Sequence, residues 1–301
     1  MTQTQRWTAC VACWLGLARS GLGDDGPSPG PGRALIVVGL PGDAAHETVF
    51  RATVAAWKGW LTGPLGFAPA EVRVLSGPES GVNPVPGDAP ATRDSIARQA
   101  EAFTKAGATE GRAWVFVLGH ANFDDGHAFL HLPGPDLRDD EFAGLFRSLA
   151  AQEQVFWMTT SASGAFVAPL AKAGRIVVAA TEPLGETNET EFPHALAEVV
   201  ARTASRLDLD QDGQVSTFEV VLATIEVVGA RFQADKRAPT EHARIDDNGD
   251  GVGTEPKPGP RPDLGDGALA SRSFLPTPKP TPPPTPAARS AHGTQRTPPS
   301  R

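Results

Sequence analysis

A chain of 301 residues with 40% apolar side chains holds enough material for one large core or two small ones. Its net charge of −8 is unevenly spread: residues 256–301 carry seven Lys or Arg against two Asp, a balance of +5, which leaves −13 for the rest. An acidic body argues against a nucleic-acid-binding surface. No run approaches the roughly 20 apolar residues that span a bilayer, so no transmembrane segment is expected.

The first 23 residues read as a secretory signal: one positive charge at Arg6, an apolar run from Trp7 to Ala18, then small residues up to Gly23. The expected location is therefore outside the cytosol, periplasmic or extracellular. A lipid anchor on Cys13 is disfavoured, because Cys10 stands where a Leu-like residue belongs. With Cys10 and Cys13 removed, the mature chain has no cysteine for a disulfide or a thiol nucleophile. Residues 24–32 form a Gly/Pro linker.

From Arg33 the chain alternates apolar runs with helical patterns. ALIVVGL ending at Gly39 predicts a buried strand, and a helix is expected from His46 to about Leu61. A strand follows over Glu71–Ser76, a Pro/Gly loop over 77–90, and a helix over 91–106. AWVFVL (Ala113–Leu118) is the third strand and ends at Gly119-His120. A small hairpin is expected at Ala128–Leu132 and a helix over 139–151. VFWMTT (Val155–Thr160) is the fourth strand, a short helix spans 163–173, and RIVVAA (Arg175–Ala180) is the fifth strand. Strands apolar throughout, alternating with helices, predict a three-layer α/β domain over residues 33–205 with a mostly parallel sheet covered on both faces.

Residues 206–255 follow a different logic. In DLDQDGQVSTFE, Asp208, Asp210 and Asp212 fall at positions one, three and five, and Gly213 at the sharp turn of position six. Gln214 falls at seven, Ser216 at nine and Glu219 at twelve. Phe192, Leu196, Val199, Val200 and Thr203 recur at helical spacing before it, and Phe218, Val221, Leu222, Ile225, Val228 and Phe232 after it. Helix, acidic loop, helix is the EF-hand arrangement, and it predicts a bound Ca²⁺. The two helices are expected to pack on the sheet, so that the ion braces the fold.

A second acidic run matches half of that pattern. Asp246, Asn248 and Asp250 take positions one, three and five and Gly251 takes six, but Lys257 stands where the closing carboxylate belongs. It is a candidate second metal loop or a solvated turn, and its spacing from the first suits a pair. From Pro256 onward, 13 of the last 46 residues are proline. That composition predicts a tail, residues 256–301, that forms no core.

Sites in parallel sheets lie at the carboxyl ends of strands. His120 ends the third strand and Ser161, in Thr160-Ser161-Ala162-Ser163-Gly164, follows the fourth: a general base and a hydroxyl nucleophile on two strand ends, or a structural histidine and a helix cap. His127 and His131 are four apart, but Phe129-Leu130 and Pro133 fit a hairpin better than a zinc-binding helix. No other spacing in the sequence suggests zinc.

Strand-Gly-His followed by strand-nucleophile-x-Ser-Gly resembles the caspase-like peptidase clan of legumains, gingipains and caspases. RALIVVGLPG, the LPGPDL segment, and RIVVAATE with ETNETEF are similar to bacterial relatives of the legumain branch. The resemblance covers Arg33 to Gly253 and implies a caspase-like fold. It places His120 at the catalytic histidine and Ser161 at the cysteine position, with Ser163 and Gly164 matching the small residues that follow. Two positions depart from the family: Ala121 replaces a glycine, and Ser161 replaces the nucleophilic cysteine. A serine needs a tightly held base, itself oriented by a third group, for which Asp124, Asp136, Glu182 and Glu186 are the candidates. The expected function is therefore a calcium-binding, catalytically silent relative that keeps a peptide-binding groove. A slow serine hydrolase using Ser161 and His120, and an exported scaffold, are the alternatives.

Overall fold

The computed structural model describes residues 32–77, 85–105, 111–259 and 265–276. The predicted signal and most of the linker and tail lie outside them.

Strands β1 (Gly32–Val38), β4 (Arg112–Leu118), β8 (Glu153–Met158) and β9 (Arg175–Ala179) form the centre of a seven-stranded sheet. β2 (Val72–Ser76) and the two-residue β3 (Ala89–Pro90) lie beyond β1, and β10 (Arg244–Asp246) lies beyond β9. The spatial order is β10-β9-β8-β4-β1-β2-β3. All neighbours are parallel except β10, which runs antiparallel to β9. This is the mostly parallel α/β architecture expected from the unbroken apolar runs.

The period of two in a strand decides which side chains meet which helix layer. Ala34, Ile36 and Val38 of β1 face one core, and Leu35 and Val37 the other. The first core is covered by α1 (Ala44–Thr62), α5 (Phe192–Val199) and α7 (Thr217–Ala234). Trp57 and Trp60 of α1 meet Trp114, Phe116 and Trp157 there, with ring centroids 5.1 to 6.4 Å apart. The second core lies beneath α2 (Arg93–Lys105), α3 (Asp139–Leu145) and α4 (Val167–Leu170), where Phe142, Phe146, Phe156 and Phe166 pack edge to face or tilted.

Arg175 is a charged group buried at the edge of this second layer, at 2% exposure. Its guanidinium donates to Gln154 Oε1 and to the carbonyls of Phe146 and Leu170, which close α3 and α4, and it lies over the Phe156 ring. Burial pushes its pKa down to about 10. A lysine cannot reproduce that planar fork. Arg175→Lys is expected to lower stability by about 2 kcal/mol, read as a lower urea midpoint at unchanged slope.

Four expectations are corrected. The hairpin at 128–132 is a three-stranded arm: β5 (Ala121–Asp124), β6 (His127–Leu130) and β7 (Leu137–Arg138). The helix expected over 139–151 stops at Leu145, and that over 163–173 is a 3₁₀ turn, Ser163–Phe166, leading into α4. The helix entering the acidic loop does not run from Phe192 to Thr203. α5 ends at Val199, Thr203 is extended (ψ 149°), and only the single turn α6 (Ala204–Leu207) leads into the loop.

The tail is also not uniformly without a core. Residues 264–275, LGDGALASRSFL, contain no proline. Their described part, 265–275, docks as a strap in which Ala270 is fully buried. Finally, β10 and α7 belong to the same core as the sheet, so residues 206–255 are built into the α/β unit rather than appended to it.

Candidate functional site

The chain moves from β1 outward to β2 and β3, then returns to β4 and proceeds the other way to β10. The carboxyl ends of β1 and β4 are therefore the point where the strand order reverses, which is where parallel sheets open a crevice. Here the two strand ends pass closely. Gly119 takes φ +143°, which side chains rarely adopt, and a Cβ there would sit a tight 3.1 Å from the Cα of Gly39. His120 emerges directly after it. Its Nε2 lies 3.2 Å from the carbonyl oxygen of Pro41, and its ring is flanked by Phe50 and His46, with centroids at 5.7 and 5.3 Å.

Ser161 sits on the adjacent strand end, but its hydroxyl faces the backbone. It donates to the Ala121 carbonyl at 2.7 Å and accepts from the Ala121 N–H at 2.9 Å, at 4% exposure. Among the described residues no hydrogen bond joins Ser161 to His120. The N–H of Ala121 is spent on the same serine. Ser163 staples the turn to the end of β9 by accepting from the N–H groups of Ala180 and Thr181. Gly164 passes so close to Glu182 that a Cβ would lie 2.5 Å or less from its carbonyl group.

Three of the four acids considered as orienters of His120 bond elsewhere. Asp136 caps Leu132, Glu182 pairs with Arg244, and Glu186 pairs with His242. Asp124 stands on β5 opposite His127.

The groups that do surround His120 come from segments the sequence did not connect. Asp43 caps α1 by accepting from the His46 N–H at 2.9 Å, and its same oxygen lies 2.7 Å from His46 Nδ1. Both carboxylate oxygens of Glu189 lie 3.1 Å from His46 Nε2. Burial works against protonation of His46, but its bonds to Asp43 and Glu189 raise its pKa overall. Below them an open cleft of about 680 Å³ is lined by Thr53, Glu191, His194, Arg231 and Arg237, among others. His194 is hydrogen-bonded to Thr53, and burial, with the nearby charge of Arg231, lowers its pKa. The Asp-x-x-His spacing at 43–46 was readable as a helix cap, but nothing in the sequence places Glu189 beside it.

The first acidic loop gathers its carboxylates. One oxygen each from Asp208, Asp210 and Asp212 lies within 4.8 Å of the others. Gln211 and Gly213 take left-handed conformations, at φ +62° and +87°. Asp208 Oδ2 accepts from the Gly213 N–H, Asp210 Oδ1 from Asp212 and Asp212 Oδ1 from Gln214. Asp208 Oδ1 is buried and, among the described residues, has no hydrogen-bond partner. Glu219, 6% exposed, folds back from α7 so that its carboxylate accepts from the N–H groups of Leu209 and Ser216 and from the Ser216 hydroxyl.

The second acidic run repeats the turn but closes on itself. Both oxygens of Asp246 are taken, by the N–H groups of Gly249 and Gly251, and Asn248 and Asp250 bond to each other. The two loops do not pair with each other as their spacing suggested. Instead the strap joins them: Asp247 accepts from Gly267 and Ala270, while Ser273–Leu275 bridges Val215–Thr217 in the first loop.

Fold and site together define a class: an α/β protein with a parallel sheet, a histidine and a serine at neighbouring strand ends, and an acidic loop opening onto a long helix. No family model matches the chain, and no curated protein matches it. Among solved structures it is similar to the Drosophila initiator caspase Dronc, at 12% identity and a TM-score of 0.45, over 72% of this chain and 79% of that one. No helix among the described residues is long and apolar enough to cross a membrane.

Proposed function

We propose that this is a calcium-binding protein in which the ion occupies Asp208–Glu219, built into a caspase-like domain that binds a peptide at the β1/β4 crevice without cleaving it. The observation that carries the calcium reading is Asp208 Oδ1. A buried carboxylate oxygen with no donor costs free energy, and two neighbouring anions raise that cost. A divalent cation relieves both at once. The remaining oxygens would come from Asp210, Asp212, the Gln214 carbonyl, Ser216 directly or through water, and Glu219 once it exchanges its present donors for the ion, a hard-donor set of the size Ca²⁺ takes. The second loop has satisfied its own first carboxylate, so the reading assigns one ion, to the first loop.

Silence at Ser161 is supported by its hydroxyl, whose proton and lone pair are both engaged by Ala121. An attacking serine needs its proton aimed at a base.

Calorimetric titration of the full chain is expected to show one calcium per molecule, and Asp208→Ala to abolish the heat. No heat in the wild-type protein would sink the calcium reading. A fluorophosphonate probe is expected to leave the protein unlabelled. Labelling that Ser161→Ala removes would replace the silent domain by a serine hydrolase.

A further inference from the structure

We propose that His46, His120 and Glu189 form a transition-metal site at the reversal point of the sheet, with Zn²⁺ as the ion their donors suit. One ligand atom from each lies within 4.8 Å of the other two. A tetrahedral zinc with bonds of about 2.1 Å holds its donors about 3.4 Å apart, so rotations of about an ångström close the set. Two imidazoles and one carboxylate is a donor set zinc accepts while keeping a fourth position open. With Glu189 half-exposed and His46 about one-third exposed, that position faces the cleft.

The supporting shell is the stronger argument. A ligating histidine is oriented by giving its other ring nitrogen to a carboxylate or a backbone carbonyl. Asp43 holds Nδ1 of His46 and leaves Nε2 toward Glu189. His120 has the second kind of partner, the Pro41 carbonyl. The two rings stand at 82° to each other against Phe50, itself only 2% exposed, so packing fixes both. Among the described residues Glu189 has no polar partner other than His46.

The cluster of His127, Asp139 and Asp140 makes a useful contrast. There Asp139 is occupied by His127 and two backbone N–H groups, and Asp140 by Arg138. That group is a latch between β6 and α3, with every carboxylate oxygen already held by a donor.

The site is independent of the acidic loop, and the test separates them. The full chain, stripped by a chelator and then saturated with calcium, is titrated with Co²⁺ as a visible reporter and with Zn²⁺ by calorimetry. One equivalent of Co²⁺ is expected to give a d–d absorption band that Zn²⁺ displaces. His46→Ala and Glu189→Gln should each weaken binding at least tenfold and alter the band, while His127→Ala leaves both unchanged. Absence of the band, or wild-type affinity in Glu189→Gln, overturns the proposal. Should His46→Ala fail to fold, the half-exposed Glu189→Gln decides alone.

Discussion

In saturating calcium the full chain is expected to melt well above its chelated form, and Asp208→Ala to melt at the same temperature in both. An ion that binds only the folded state stabilises it by RT ln(1 + [L]/Kd), about 4 kcal/mol at a thousand times the dissociation constant. For a domain of this size each kcal/mol moves the midpoint by about 2–4 °C, so the separation should be about 8–15 °C. The effect reaches the whole unit because the loop is tied to it on three sides. Glu219 starts α7, whose Phe218, Val221 and Val228 lie in the first core. Leu207, just before the loop, is buried in the same core. The strap bridges Ser216 at one end and is gripped by Asp247 beside β10 at the other. Superimposable melts with and without calcium would remove the clamp even if the ion binds.

The parts legible in the sequence were those whose signal is local and repeated. β1, β4, β8 and β9 are covered on both faces, so ALIVV, AWVFV, VFWM and RIVV read as unbroken apolar runs. The acidic loop was legible because its carboxylates fall within twelve positions. β3, β7 and β10, two or three residues long at sheet edges, leave almost no pattern. The strap was lost by averaging: prolines on both sides hid a proline-free stretch able to bury Ala270. The crevice was half legible. A strand-end histidine can be predicted, but His46 and Glu189 are 143 positions apart and meet only because β1 and β9 deliver their loops to one edge of the sheet. Ser161 shows the reverse difficulty. Its strand-end position suggests reactivity, and only the backbone of Ala121 reveals what its hydroxyl does.

The same edge should make stability fall as pH rises, through Glu241. Only 6% exposed, its carboxyl accepts from the Glu191 N–H at the start of α5, and burial pushes its pKa up to about 8. The backbone donors of Glu191 and Phe192 oppose that shift and are outweighed, while the charges of Glu191 and Glu186 add to it. In the unfolded chain the group titrates near an ordinary glutamate, about 4.3. Between these values the folded protein holds a proton that the unfolded chain has released, so each pH unit lowers stability by about 1.4 kcal/mol. The contribution is complete below pH of about 4 and is lost as pH rises through about 8, for a total of about 5 kcal/mol. Glu241→Gln keeps an acceptor for Glu191 and removes the titration. Urea midpoints measured from pH 5 to 9 should therefore diverge, with the variant gaining on the wild-type protein as pH increases. Curves that stay parallel would mean that Glu241 is ionised in the folded protein across the range and that its two backbone donors prevail over burial.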